Sequence, residues 1–264
     1  MLTFILLCLL VGSVVGFLAG LFGIGGGLII VPTLVYLLPM IGVPEPLLMS
    51  AALGTSFATI VITGFSSAQR HHKLGNIEWN AVKVLAPMVM ISVFISGLFI
   101  GKLDREVSAK IFACLVVYLA TKMVISIKKS TGKTKPLTTQ ASVIGGILIG
   151  MASSAAGVGG GGFIVPFLNS RGIDMKKAIG SSAFCGALLG LSGMFSFMVS
   201  GWGNPSMPDY SLGYIYLPAV LGITASSFFT SKLGATATSK LPVSTLKKGF
   251  ALLLVAIAVD MFMK

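Results

Sequence analysis

Ten residues recur in this chain: GIGGGLIIVP at 23–32 returns as GVGGGGFIVP at 157–166, with seven of the ten positions identical. Both copies lie in strongly apolar surroundings. Glycine-rich segments that each precede a short apolar helix, one in either half of a membrane chain, are typical of duplicated transporters that bind their substrate at interrupted helices. The repeat therefore predicts two homologous halves with a binding site where they meet.

The bulk composition is that of a membrane protein. Of the 264 residues 55% are hydrophobic and only 10% are charged, and the mean hydropathy is +0.98. Soluble proteins carry about 25% charged residues. Apolar segments of roughly 20 residues, the length that crosses a bilayer as a helix, recur from end to end. We expect an all-α polytopic membrane protein, with the lipid bilayer as its surroundings.

Ten apolar segments can be drawn, five in each half of the chain. They cover residues 2–22, 27–41, 47–68, 80–101 and 107–127, and then 139–156, 161–170, 177–200, 213–232 and 244–263. The polar, basic stretch 129–138 is the expected cytoplasmic linker between a first transmembrane repeat at 1–128 and a second at 139–264. Because each half has an odd number of segments, the second half enters the membrane from the opposite side, which predicts inverted-topology repeats.

The distribution of the net charge of +12 agrees with this arrangement. With the linker inside, alternation places the basic regions 69–79, 171–177 and 232–248 on the same side, whereas the loops 42–46 and 201–212 on the other side contain no lysine or arginine. Both termini would then face outward. No basic stripe with interleaved aromatic residues is present, so we expect no nucleic-acid partner.

The segments that follow the glycine motifs are too short to cross a bilayer. Helices over 27–41 and 161–170 would span roughly 15 to 22 Å, whereas the hydrocarbon core is about 30 Å thick. Each is therefore expected to be part of a broken helix whose glycine-rich end stops at membrane depth. Irregular backbone is tolerated there only when it is buried in protein or lines a wet cavity.

The glycine-rich ends form the predicted substrate-binding site. Glycine lets consecutive N–H groups converge and leaves no side chain between backbone and ligand, and the dipole at a helix N-terminus favours an anion. The predicted binding residues are Gly25, Gly26, Gly27, Gly159, Gly160 and Gly161. The alternative is that these glycines serve only close helix packing.

Two hydroxyl-bearing triplets follow the glycine motifs at equivalent places. Gly54-Thr55-Ser56 corresponds to Gly180-Ser181-Ser182, near the start of the third segment of each half. We predict that Thr55, Ser56, Ser181 and Ser182 donate hydrogen bonds to a bound oxyanion. The alternative is that they bond back to the preceding turn of their own helix.

Arg70, His71 and His72 form a dense polar cluster at a segment end, and both histidines of the chain are in it. A histidine could couple transport to protons, since its side chain titrates near neutral pH, and Arg70 could act as a gate that attracts anions. The alternative is a basic anchor in an ordinary cytoplasmic loop.

Enzymatic and metal chemistry find no support in the sequence. No nucleophile–base–acid constellation and no Walker A motif is visible, so we expect no catalytic residues and no ATP-driven pump. Cys8, Cys114 and Cys185 are isolated, and two adjacent histidines do not face the same way. We therefore expect no metal and no cofactor. The scarcity of acidic residues within the segments argues against a cation carrier and favours an anion as cargo.

The paired glycine motifs, the Gly-Thr-Ser segment and the pattern HKLGNIEW at 72–79 resemble the sulfite exporter (TauE/SafE-like) family. The resemblance covers about residues 10 to 262 and implies secondary transport of sulfite, sulfoacetate or other sulfonates across the bacterial inner membrane. The second motif departs from the first by a fourth glycine at 162 and by Ser154-Ala155-Ala156 ahead of it, which predicts an asymmetric pocket.

Three functions stay open at this point. The first is an anion permease working by alternating access, with protons as a candidate coupling ion; the second is an anion channel on the same fold; the third is a membrane scaffold whose glycines only pack helices.

Overall fold

The computed structural model describes residues 2–128, 136–242 and five residues beyond them: 245, 246, 248, 249 and 252. These residues form helices with almost no sheet, as an all-α polytopic membrane protein requires. The helices are α1 (Leu2–Phe22), α2 (Gly27–Leu37), α3 (Leu48–Lys73), α4 (Trp79–Ile100), α5 (Arg105–Lys128), α6 (Thr139–Ala156), α7 (Gly161–Ser170), α8 (Met175–Ser200) and α9 (Leu217–Lys240).

The helix bounds match the first nine predicted segments with three differences. Helix α3 continues to Lys73, so the polar cluster lies on the last turn of a helix and not in a loop. Helix α9 begins only at Leu217, because a short antiparallel hairpin of Ser211–Leu212 and Ile215–Tyr216 precedes it, and it continues to Lys240. Two 3-10 turns, Leu38–Ile41 and Glu45–Leu47, connect α2 to α3. The tenth segment, 244–263, lies almost wholly outside the described residues.

Five of the described helices are long and apolar enough to cross a bilayer: α1, α3 with its preceding turn, α4, α6 and α8. Helices α3 and α8 are the most buried of them and form the centre of the molecule. Helices α1, α4 and α6 present large apolar side chains on the surface, among them Leu6, Phe99 and Leu148. A surface of this kind is suited to contact with lipid chains.

The helix ends collect on two faces. Arg70 at the end of α3 donates to Thr236 near the end of α9, and Lys176 at the start of α8 donates to the carbonyl of Ser239. Arg171 donates to the carbonyl of Pro136, beside the predicted linker. We call this side, which carries residues 70–79, 136–139, 171–177 and 236–240, the linker face.

The opposite face carries the other helix ends. There Arg105, the first residue of α5, forms an ion pair with Glu45, and Ser50 near the start of α3 donates to the carbonyl of Gly101, which follows the last residue of α4. Helix α3 therefore runs from the opposite face to the linker face. Helix α8 starts on the linker face and runs the other way. The two central helices are antiparallel, as inverted repeats require.

Equivalent hydrogen bonds relate the two repeats. Ser66 of α3 donates to the carbonyl of Phe228 in α9 at 2.6 Å, and its counterpart Ser192 of α8 donates to the carbonyl of Met90 in α4 at 2.6 Å. The same correspondence pairs the bond from Ser50 to Gly101 with the bond from Lys176 to Ser239. A pseudo-two-fold axis in the membrane plane accounts for these pairs.

Small residues let the peripheral helices approach the backbone of their neighbours. Gly12, Gly16 and Gly20 of α1 face α9, and a Cβ on Gly16 would lie 2.5 Å from the Cα of Ser227. Gly146 and Gly150 of α6 face α4 in the equivalent way. Packing through rows of small residues is typical of helices in membranes.

We predict that Gly16→Val lowers the free energy of unfolding by about 1–3 kcal/mol, because the new side chain overlaps the backbone of α9. The measurement is the thermal unfolding midpoint of purified protein in detergent. Val14→Leu enlarges an exposed side chain on the same helix and should leave the midpoint unchanged. Equal midpoints for the two variants would contradict this packing.

Candidate functional site

The two glycine loops meet in the centre of the molecule. Gly26 and Gly160 are the N-caps of α2 and α7, and both adopt left-handed backbone conformations, with φ of 88° and 76°. A Cβ on Gly25 would lie 3.1 Å from the Cα of Gly159, and a Cβ on Gly159 would lie 3.1 Å from the Cα of Gly25. The backbones of the two glycine loops are therefore in direct contact at this point.

Two further contacts flank this one and are related by the repeat. A Cβ on Gly27 would overlap the carbonyl oxygen of Gly157, and a Cβ on Gly161 would overlap the carbonyl oxygen of Gly23. Each loop thus packs the first turn of its own short helix against the start of the other loop. The pseudo-two-fold axis passes through the contact between Gly25 and Gly159. We call these two loops together, residues 23–28 and 157–162, the glycine junction.

The glycine junction lies halfway along the two central helices. Ile60, near the midpoint of α3, contacts both loops, and Gly186, near the midpoint of α8, packs against the carbonyl of Gly159. At about 1.5 Å of rise per residue, these positions are roughly 15–20 Å from the ends of either helix. The broken helices α2 and α7 have 11 and 10 residues and lead from the junction to opposite faces.

The junction offers buried backbone donors. In the part of the chain that the structure describes, no hydrogen bond uses the N–H groups of Gly25, Gly26, Gly27, Gly159 or Gly161, and all five residues are buried. Only Gly160 among the predicted glycines donates internally, to the carbonyl of Val158 at 2.7 Å. A buried N–H without a partner is costly. These donors are therefore available to an acceptor-bearing ligand.

Hydroxyl groups occupy three of the carbonyls at the same place. Ser56 Oγ donates to the carbonyl of Gly157 at 2.9 Å, and the equivalent Ser182 Oγ donates to the carbonyl of Gly23 at 3.1 Å. Thr63 Oγ1 lies 3.3 Å from the carbonyl of Gly25. Each serine reaches into the loop of the other repeat, not back along its own helix. Five N–H groups of the junction are thus free while hydroxyl groups occupy three of its carbonyls, an excess of free donors that favours an anion.

Thr55 and Ser181 hold the next elements in place. Thr55 Oγ1 accepts the N–H of Tyr216 at 3.0 Å, and Ser181 Oγ accepts the N–H of Glu78 at 2.8 Å. Tyr216 and Glu78 are the residues that precede α9 and α4. The two triplets are thus brought to equivalent places on either side of the junction. Whether their hydroxyl groups also donate to a substrate stays a prediction.

The two sides of the junction differ at one central position. Ile60 Cγ2 would lie within 3.0 Å of a Cβ placed on Gly25, Gly159 or Gly190, so this side chain fits only because all three are glycine. The counterpart of Ile60 in the second repeat is Gly186. No motif marks Ile60 in the sequence, although aligning the two repeats from Gly54 and Gly180 shows the difference.

The three residues of the polar cluster on the last turn of α3 each contact a different part of the molecule. His71 is fully buried, and its Nε2 lies 3.1 Å from the carbonyl of Gly20, to which it donates. Its Nδ1 faces the amide nitrogen of Asn76 at 3.5 Å. His72 is exposed and packs edge-on against Trp79. Of the three predicted residues only His71 contacts the chain that leads into the first glycine loop; Arg70 bonds to α9 instead.

An ion pair and a neutral hydrogen bond connect further residues of the linker face around this cluster. Lys177 forms an ion pair with Glu78 at 2.9 Å, and Asn76 donates to Ser239 at 2.9 Å. At the equivalent places on the opposite face stand neutral groups, such as Ala51 for Lys177 and Tyr216 for Glu78. The described residues contain no group of three histidine, cysteine or acidic side chains that could hold a metal ion.

Comparison with known proteins identifies the family of this chain. The family described as "Sulfite exporter TauE/SafE" matches residues 8–261. The chain belongs to the sulfite exporter TauE/SafE family. It is a multi-pass membrane transporter of that family, and the names of its relatives describe transporters, not enzymes.

Relatives match over nearly the whole chain. A "Probable membrane transporter protein" of Haemophilus influenzae is 80% identical over 264 residues, which is all of both chains. A probable membrane transporter protein of Methanocaldococcus jannaschii is 29% identical over 89% of this chain and 86% of its own length. The probable membrane transporter protein YunE of Bacillus subtilis is 27% identical over 92% of both. No solved structure matches this TauE/SafE family member.

We predict that Ser56→Ala and Ser182→Ala each lower the free energy of unfolding by about 1–3 kcal/mol, because each leaves a buried glycine carbonyl without its donor. The measurement is again the thermal unfolding midpoint in detergent. Ser170→Ala removes an exposed hydroxyl that bonds only within its own helix and serves as the control. Midpoints like that of the control would show that the serines do not hold the loops.

Proposed function

We propose that this chain is a secondary transporter that moves sulfite or another sulfur-containing organic or inorganic anion across the bacterial inner membrane by alternating access. The observation that carries the proposal is the junction of two helix N-termini at mid-depth, with buried N–H groups unpaired and neighbouring carbonyls occupied by hydroxyls. The names of the relatives support transport, and the family description supports sulfite as one candidate substrate.

The electrostatics of the junction favour an anion. Each helix N-terminus carries about half a positive charge, so the two ends together offer roughly one positive charge without a lysine or arginine. The acidic residues that the structure describes all lie at helix ends or in loops: Glu45, Glu78, Asp104, Glu106, Asp174 and Asp209. A cation at mid-depth would therefore meet no carboxylate among the described residues.

Substrate entry requires the two loops to separate. In this structure Gly25 and Gly159 are in backbone contact, which leaves no room for an oxyanion between them. The proposal is that the repeats move apart around the junction, first on one face and then on the other, and that the anion binds to the N–H groups then uncovered. The linker face, with its basic residues, is the proposed cytoplasmic side.

We predict that purified protein in liposomes gives saturable sulfite flux, and that Gly160→Ala reduces this flux at least tenfold. The added methyl group would lie 2.6 Å from Ile164 Cδ1 at a left-handed backbone position, and so would displace the end of α7 that presents the N–H groups. Gly42→Ala is the matched control: Gly42 has a similar left-handed φ of 85°, but no atom lies near its added Cβ. Equal flux in both variants would remove the junction from the mechanism. Flux that follows voltage without saturating would indicate a channel, and no flux at all would indicate a scaffold.

We further predict that a pH gradient stimulates flux in the native protein and not in His71→Gln. The amide of glutamine can still donate to Gly20 but does not titrate, so basal flux driven by an anion gradient should remain. His72→Gln changes the exposed histidine next to it and should keep the response to pH. If the flux of both variants responds to the pH gradient like that of the native protein, His71 has no role in proton coupling and serves only to hold the end of α1 through Gly20.

A further inference from the structure

A buried polar stripe runs along one side of α3 from the glycine junction toward the linker face. It consists of Thr63, Ser67 and His71, which are four residues apart and so lie one helical turn above another. At the junction, Thr63 Oγ1 lies 3.3 Å from the carbonyl oxygen of Gly25. Near the linker face, His71 Nε2 lies 3.1 Å from the carbonyl oxygen of Gly20. We call these three residues the α3 stripe.

Ser67, in the middle of the α3 stripe, has a hydroxyl group without a partner. Only 1% of the residue is exposed, and its Oγ forms no hydrogen bond with any residue that the structure describes. Since the residues one turn before and one turn after it contact Gly25 and Gly20, the side chain of Ser67 faces the segment that leads into the first glycine loop. A buried hydroxyl group without a hydrogen bond costs stability and calls for an explanation.

The second repeat has no polar side chain at the equivalent places. The counterparts of the α3 stripe on α8 are Leu189, Gly193 and Phe197. The ring of Phe197 packs against that of Phe57, with 5.6 Å between the centroids, and a Cβ on Gly193 would lie 2.6 Å from the same Phe57 ring. Apolar packing therefore suffices for this part of the architecture. The hydroxyl group of Ser67 is not required by the fold that the two repeats share.

The charges at the outer end of the α3 stripe favour an anion. The cationic residues of the linker face are Arg70, Lys73, Arg171, Lys176, Lys177 and Lys240. Both of its carboxylates are already engaged, because Glu78 pairs with Lys177 and Asp174 accepts the N–H of Lys176 at the start of α8. An excess of one sign of charge at the end of a path raises the local concentration of the opposite ion. The stripe itself contains no carboxylate that would repel an anion.

We propose that Ser67 binds the transported anion on the linker side of the glycine junction, when the two repeats separate on that face. The hydroxyl group donates to an oxygen of the anion, with the unpaired N–H groups of the first loop on one side and His71 on the other. The path to the opposite face has no such residue, because Gly193 stands at the equivalent place. The proposal rests on anion transport as the proposed function and adds a binding residue to it.

The test is the affinity of the full-length protein in lipid nanodiscs for sulfite, sulfate and methanesulfonate, measured by calorimetry beside flux in liposomes. Ser67→Ala should weaken anion binding about tenfold, because a hydrogen bond to a charged group is lost. Ser227→Ala is the matched control: Ser227 is equally buried and unpaired among the described residues, but it lies where α1 packs against α9. The control should bind anions like the native protein. Both variants should keep or raise the thermal unfolding midpoint, since neither loses a hydrogen bond within the protein.

A second measurement tests on which side of the junction the site opens. In a chain that carries Cys8→Ala, Cys114→Ala and Cys185→Ala, the variant Ser67→Cys should react with an anionic, membrane-impermeant thiol reagent roughly tenfold faster from the linker side than from the other side. Leu189→Cys places a thiol at the counterpart of Thr63 and should react slowly from either side. Equal rates from both sides for Ser67→Cys, or rates no faster than those of Leu189→Cys, would overturn the proposal.

The outcomes separate this site from the transport function. Flux in the native protein with equal anion affinity in Ser67→Ala would overturn the site and leave transport intact. If Ser67→Ala keeps its anion affinity but loses the response of flux to a pH gradient, the stripe carries protons and the site is again overturned. Weaker anion binding in Ser67→Ala alone, without flux in the native protein, would support the site and overturn transport. Native protein that neither binds nor moves any of the three anions would overturn both.

Discussion

The close approach of two bare backbones at mid-depth is the constraint on which the rest of this structure depends. Polar backbone in the middle of a bilayer must find partners within the protein. Here the carbonyls of Gly23 and Gly157 find them in Ser182 and Ser56, each supplied by the other repeat. The N–H groups beside them stay unpaired in the described part of the chain. The junction is therefore biased toward donors, and that bias gives a neutral set of residues a preference for negative charge.

The same serine bonds tie each loop to the helix that crosses it. Helices α3 and α8 carry the hydroxyls, and the broken helices carry the carbonyls, so the loops cannot separate without a change in the position of the central helices. Thr55 and Ser181 extend this coupling to the chain that enters α9 and α4. A movement at the centre would therefore also move the helix ends at both faces. Alternating access in an inverted repeat requires such coupling.

The symmetry is broken where function would need unequal states. Ile60 covers the junction on the side of α3, whereas Gly186 leaves no side chain on the side of α8. Lys177 pairs with Glu78 on the linker face, and the equivalent residues on the other face, Ala51 and Tyr216, are neutral. A perfectly symmetric pair of repeats would have inward-open and outward-open states of equal energy. These differences give the two states different energies.

By itself the sequence determined the fold class, the two repeats, the extent of α1 to α8 within a few residues and the position of the glycine motifs at the start of two short helices, because hydropathy, length and motif repetition are local properties. It could not show that Ser56 and Ser182 exchange between the repeats, since the chain encodes no distance between segments far apart. It also left the partners of Arg70, His71 and His72 open, because adjacent residues on a helix point in different directions. Only the packing of α3 and α8 against the two loops decided which backbone carbonyls receive a hydrogen bond and which N–H groups are left for a ligand.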